Sequence, residues 1–356
     1  MASSPAPLEP VLEPDLPIVD PHHHLMYSPA GDDADPPPSA SAFLRSYAAV
    51  AREHRRYLAE DLFADVGSGH DIRATVFVDS RSMYRRSGPA ELRLVGEVEF
   101  ANGVAAMGES GLFGSTRVCA GIVGGVDLDL GAGVEDVLHA QIAAGNGRFR
   151  GVRASAMAAV PSVFEGAVPD GWLGTATVRE GVARLAPLGL SLDVTVLEPQ
   201  LGEVADLARA FPETSIVLDH VGFPLGIGIY EGRRDERFAG WRRGIRDVAA
   251  CENVTVKLGG LGTPFGGFDS FRADPPADSE RLAADWRPYI EACIEAFGTS
   301  RSMFESNYPA DAGAGSYATI WNALKRIAAG ASPAEKVDLF AGTATHVYRL
   351  SLPPVE

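Results

Sequence analysis

The sequence predicts a (β/α)8 barrel, and three observations carry that expectation. Short apolar runs alternate with longer amphipathic segments eight times, which implies a parallel sheet covered by helices. The chain has 356 residues, an ordinary length for such a barrel with extended loops. The turn after the first apolar run carries histidines, where an open dinucleotide-binding sheet would carry a glycine-rich turn.

The first run, Leu16-Pro17-Ile18-Val19, leads into Asp20-Pro21-His22-His23-His24. Residues two apart in a strand point the same way. His22 and His24 therefore share a face, and His23 turns toward the outer layer. Further strands are expected over 72–79, 117–123, 149–155, 190–196, 215–220, 254–258 and 302–306. Helical segments lie between them, over 42–62, 90–107, 134–144, 178–188, 200–211, 238–251 and 282–297. After the last strand, 317–329, 333–340 and 343–350 read as helices, the last a closing one with Gly342-Thr343 near its cap. Residues 1–15 begin with a stretch rich in Pro, Ala, Ser and Glu and read as a flexible arm before a single barrel domain over 16–352. The loop 259–276, rich in glycine and proline, is expected to be an active-site lid.

The formal charge is −16. This disfavours nucleic acid and anionic membranes as partners, because both call for a basic surface. No apolar stretch is long enough for a membrane span, and no secretory leader is read at the N-terminus. The three cysteines, Cys119, Cys251 and Cys293, are odd in number and widely spaced. A reduced, cytoplasmic setting is expected. The expected partner is a small-molecule substrate; self-association is left open.

In such a barrel, chemistry sits at the C-terminal ends of the strands. His22 and His24 close the first strand. Asp79 and Arg81 close the second, and Arg153 the fourth. Asp193 and Thr195 lie along the fifth. Asp219 and His220 close the sixth, Lys257 lies on the seventh, and Asn307 follows the eighth with Glu305 on its face. Three histidines from distant parts of the chain thus meet at one rim, which is what a divalent metal or a proton-transfer site requires.

His22-x-His24, Leu218-Asp219-His220-Val221-Gly222 and Met303-Phe304-Glu305-Ser306-Asn307-Tyr308-Pro309 resemble the amidohydrolase superfamily. The similarity is to its amidohydrolase-related (amidohydrolase 2) branch, with sugar-lactone hydrolases and 2-pyrone-4,6-dicarboxylate lactonase near and metal-dependent decarboxylases further off. It runs from about Ile18 to Leu350 and includes Asn253-Val254-Thr255-Val256-Lys257-Leu258-Gly259-Gly260 and Gly342-Thr343-Ala344. The resemblance implies an Asp at the end of strand eight as general base and metal ligand. Here that position is Asn307, a neutral amide that cannot accept a proton near neutrality. It also implies a bridging carboxylate or carboxylated lysine for a two-metal site; strand four offers Arg153, which cannot bridge cations.

Two readings remain open. A single divalent ion, zinc first, would sit on His22, His24 and His220 with water as fourth ligand. Alternatively no metal binds and the histidines touch the substrate directly. With Asn307 unable to act as base, Asp311 is the catalytic carboxylate to expect, with Glu305 and Asp193 behind it. Arg81, Arg153 and Lys257, with Tyr84 and Asp193, are expected to hold the substrate. Guanidinium forks suit a carboxylate, and Tyr84, Trp172, Phe265, Phe268 and Tyr308 could wall a ring-shaped one. The expected activity is hydrolysis of a lactone or related cyclic ester or amide. The alternatives are a lyase (decarboxylase or dehydratase) on the same scaffold and a non-catalytic small-molecule binder.

Overall fold

The computed structural model describes residues 9–29, 41–161 and 166–352. Eight parallel strands run in sequence order around a nearly closed barrel. They are β1 (Ile18–His23), β2 (Ile72–Val78), β3 (Arg117–Gly125), β4 (Phe149–Ser155), β5 (Ser191–Thr195), β6 (Ile216–Leu218), β7 (Val254–Leu258) and β8 (Ser302–Phe304). The seam between β8 and β1 has no full ladder. It is closed by the His24 N–H donating to the Tyr308 carbonyl at 2.8 Å and by Asp20. The buried Asp20 carboxylate accepts from the Ser306 N–H (3.1 Å), the Ser306 hydroxyl (2.6 Å) and the Tyr317 hydroxyl (3.0 Å).

The lower half of the barrel is filled by Val19, Ala74, Val76, Val78, Val123, Val217 and Met303, with Tyr348 and Leu350 packed among them. These branched and apolar side chains make a solid core, so only the opposite end is free to host a site. The closing helix is Thr343–Val347. Just beyond it, the Tyr348 hydroxyl reaches in to donate to Asp193 at 2.6 Å.

Where elements differ from the sequence pattern, local chemistry explains it. The segment 42–62 is two helices, Ala42–Glu53 and Ala59–Val66. They are split because Arg56–Tyr57 pairs with Met26–Tyr27 in a short antiparallel ribbon above β1. The helix expected over 178–188 is Ala176–Val182, followed by a 3₁₀ turn holding Pro187, whose ring cannot continue an α-helix. β6 stops at Leu218 because His220 and Val221 take φ of 57° and 49°. The loop 259–276 is a packed wall rather than a lid through its first half. Residues 259–266 are buried, and the Gly226 N–H donates to the Phe265 carbonyl at 2.9 Å. Gly260, at φ 70°, is required there, since a Cβ would fall 2.4 Å from that of His220.

The first eight residues of the expected arm lie outside the described residues. The next five are tied down: Glu9 accepts from Ser279 at 2.6 Å, and Lys325 donates to the carbonyls of Leu12 and Glu13 at 2.8 Å. No described helix is long and apolar enough to cross a membrane. All three cysteines are free and buried.

Candidate active site

The site has a sealed floor and an open mouth. In the floor, Lys257 on β7 is fully buried and pairs with Asp193 Oδ2 at 2.7 Å and Asp219 Oδ1 at 3.1 Å. Asp193 also accepts from the hydroxyls of Tyr348 and of Ser191, the latter at 3.1 Å. Asp219 accepts from Thr195 at 2.8 Å. A buried ammonium is tolerable only with such partners. Burial pulls the Lys257 pKa down, but the two carboxylates more than reverse this and raise it. Burial would raise Asp219, yet Lys257 and His22 hold it well below the usual carboxylate range.

Above this layer lie His22, His220 and Glu305. Glu305 Oε1 is 2.8 Å from His220 Nδ1, and Oε2 is 3.0 Å from His22 Nδ1. Burial disfavours both charges, but the pair offsets it. Glu305 is brought down to about 2, and His220 is raised above its ordinary value. Glu305 thus favours the protonated form of His220, against the burial that opposes it. His22 behaves differently. Its Nδ1 is also 3.0 Å from Lys257 Nζ. It can accept from the ammonium or donate to Glu305, not both, and that choice decides whether Nε2 carries a proton or a lone pair. Burial and Lys257 lower its pKa.

The mouth is a cavity of about 360 Å³ whose walls include His24, Arg81, Arg153, Thr195, His220, Thr263 and Asn307. His24 Nδ1 faces the Val78 carbonyl at 2.9 Å. This leaves Nε2 as the lone-pair nitrogen of a ring whose pKa lies well below normal, through burial and then the charges of His22 and Arg153. Asn307 Nδ2 donates to Asp311 Oδ1 at 2.7 Å, which fixes the amide so that its buried Oδ1 stays unpartnered. An apolar wall climbs from His220 through Phe223 and Phe265 to Phe43, each pair of ring centres 4.7 Å apart.

Arginine builds another part of the wall. Arg153 Nε donates to Asp79 Oδ1 at 2.8 Å, and its terminal nitrogen also reaches the Asp79 carbonyl. Arg81 is exposed, at φ 60°. Its loop is clamped from the helix Val95–Glu109, where the buried Glu97 accepts from the N–H groups of Ser80 (3.0 Å) and Ser82 (2.9 Å). Arg81, His220 and Asn307 all hold left-handed backbone, at a cost of about 1–3 kcal/mol each. Such strain is retained where side-chain direction matters.

The donor set fits one divalent ion. Among the described residues, one ligand atom from each of His22, His220 and Glu305 lies within 4.8 Å of the others. His22 Nε2 and Asn307 Oδ1 are buried polar atoms without partners. His24 and His220 each direct Nδ1 at an oxygen, the arrangement that orients metal-ligating imidazoles. Arg153, salt-bridged to Asp79, offers no bridge to a second ion.

Several expectations change. Glu305 enters the cluster where the sequence put His24. Its signal was its position two residues before Asn307, on the same face of the strand. Asp193 and Lys257 are 0% exposed and line none of the described cavities. They hold His22 and Asp219 from below rather than contact a substrate, because β5 and β7 place them a layer too deep. Asp311 is also off the cavity wall. Its second oxygen takes the Gly262 N–H at 2.9 Å, so it positions Asn307. Burial raises its pKa to about 7. Tyr84 and Trp172 line a neighbouring cavity, Phe268 packs outside the mouth, and Tyr308 packs against Tyr57 and Tyr317. His23 turns into the outer layer and bonds the Thr75 hydroxyl at 2.8 Å. Glu97 had no signal in the sequence, since it is a helix residue distant from every strand end.

The family described as amidohydrolase matches residues 19–350. The uncharacterized protein y4mH of Sinorhizobium fredii is 33% identical over 344 residues, covering 94% of this chain and 99% of that protein. An L-fucono-1,5-lactonase of Burkholderia multivorans is 33% identical over 179 residues, 50% of this chain and 57% of the lactonase. A crystal structure of an amidohydrolase from Burkholderia multivorans with bound zinc superposes with a TM-score of 0.68 at 26% identity, covering 94% of this chain and 99% of that one. With its barrel, its histidine cluster and a match along nearly its whole length, the chain belongs to the amidohydrolase family and is a hydrolase.

Proposed function

We propose that the protein hydrolyses a lactone that carries a carboxylate. The observation that carries this reading is the make-up of the mouth. His24, His220 and Asn307 line a single cavity together with two guanidinium groups, Arg81 and Arg153. Arg81 and Arg153 bind the substrate carboxylate, and the ring lies against Phe223 and Phe265. His220, in the protonated form that Glu305 favours, donates to the carbonyl oxygen and stabilises the oxyanion as it forms. Asn307 Oδ1 accepts from the attacking water and orients it. His24 Nε2 takes the water's second proton as the oxygen attacks the carbonyl carbon. The tetrahedral intermediate collapses by breaking the ring C–O bond, and the proton passes to the departing alkoxide.

With His220 neutral, a divalent ion held by His22, His220 and Glu305 would instead supply Lewis-acid polarisation at the same place and lower the pKa of a bound water. The lactonase relative and the zinc-bound neighbour support this assignment of class.

The test is a panel of 1,5-lactones followed by proton release, beside 5-carboxylated phenols followed by release of carbon dioxide. Lactone opening well above the spontaneous rate, with no carbon dioxide, is expected. Carbon dioxide release without lactone opening would overturn the reading.

A further inference from the structure

Beside the catalytic mouth lies a second, larger cavity of about 540 Å³ at the ends of β2, β3 and β4. The two share four lining residues, Arg81, Arg153, Ser155 and Ala167, so the arginines form a common partition between them. Their walls differ in chemistry. The mouth carries Phe43, Phe223 and Phe265, while the neighbour carries Tyr84, Trp172, Asp127 and Asp129. Trp172 is set rigidly: its indole N–H donates to Asp129 Oδ1 at 2.9 Å, and it is only 7% exposed. Tyr84 is 41% exposed across the same space. Aromatic faces beside carboxylate acceptors suit a saturated ring bearing hydroxyl groups. The C–H face packs on the rings and the hydroxyls donate to the carboxylates. A lone lactone ring would leave this space to water.

The geometry points to an extended substrate: a lactone bearing a second, hydroxylated ring, with the lactone over His24 and His220 and the second ring between Tyr84 and Trp172. The inference rests on the lactonase reading for what happens at the histidines, but the second cavity binds independently of turnover. Both parts are therefore tested separately. Ala90 lines the second cavity, is exposed, and makes no contact used at the histidines; Ala90→Trp fills the space without burying anything new.

Calorimetry compares D-gluconate, a one-ring probe, with cellobionate, which adds a glucosyl ring. Turnover compares the two corresponding 1,5-lactones. Cellobionate is expected to bind at least about tenfold tighter than gluconate (1.4 kcal/mol per tenfold). Ala90→Trp is expected to remove that difference and leave gluconate affinity within about twofold. Equal affinities in the wild type, or a preference that survives Ala90→Trp, would overturn the second cavity. If the binding preference holds while neither lactone is opened, nor a 1,5-lactone bearing a free carboxylate, the cavity stands and the lactonase reading falls. If both lactones are opened with equal kcat/KM and Ala90→Trp changes nothing, the lactonase reading stands and the cavity falls.

Discussion

On one side of the barrel mouth, β1 and β5 to β8 bury Lys257, Asp193, Asp219 and Glu305 with no exposure at all. On the other, β2 to β4 leave Arg81 in the open and the Arg153 side chain 12% exposed. Residues of the same kind at comparable strand positions thus do different work. The buried charges satisfy one another and set the protonation of His22 and His220. Arg81 is open to meet an anion, and Arg153, bridged to Asp79, is partly exposed beside it. Depth along the strand, rather than residue type, separates the two roles. A charge one layer down acts through its neighbours, while a charge at the rim is open to the cavity.

The largest effect that would sharpen this contrast is Lys257→Met. It leaves two carboxylates buried without their cation and should cost about 3–5 kcal/mol of stability, read as a lower denaturant midpoint. A midpoint equal to the wild type would show that the network is not the support described. Next is His24→Gln on the rim of the same arc. The fold should survive, and kcat should fall about 10²–10³-fold. Retained kcat would remove His24 as the base.

Asp311 separates the arcs by pH. Its carboxyl is raised to about 7 by burial, above its value in the unfolded chain. The native state therefore holds the proton more tightly. The stability this contributes is complete below pH 4 and is lost as pH rises from about 4 through 7. Denaturation at pH 5 and pH 8 should show a decline to which Asp311 contributes on the order of 2 kcal/mol, a share that Asp311→Asn removes while those of Asp20, Asp65 and Glu97 stay. An unchanged slope in the variant would assign it elsewhere. The smallest effect belongs to the open arc. Arg81→Ala should raise KM for a carboxylated lactone about tenfold, the loss of one charged hydrogen-bonding partner, with kcat nearly unchanged. A fall in kcat with KM preserved would move Arg81 into the chemical step.

The same distinction of depth explains what could be read from the sequence. The barrel was legible because strand and helix alternation is a local pattern. The three histidines were legible because His22-x-His24 and Asp219-His220 mark strand ends by themselves. Asp193 and Lys257 were misplaced because sequence shows the face of a strand but not the layer. Asp311 was read as a base because its distance from Asn307 was known and its hydrogen bonds to Asn307 and Gly262 were not. The split at Arg56–Tyr57 was hidden, since its partner, Met26–Tyr27, lies 30 residues earlier.

The central claim is that His220, paired with Glu305, activates a lactone carbonyl at this mouth. Its most direct test is kcat/KM of wild type and His220→Asn on one carboxylated 1,5-lactone, with folding of both checked by thermal melting. The account predicts wild-type acceleration over spontaneous opening and a fall of about 10²–10³-fold in the variant. A folded His220→Asn protein that opens the lactone as fast as the wild type would contradict it.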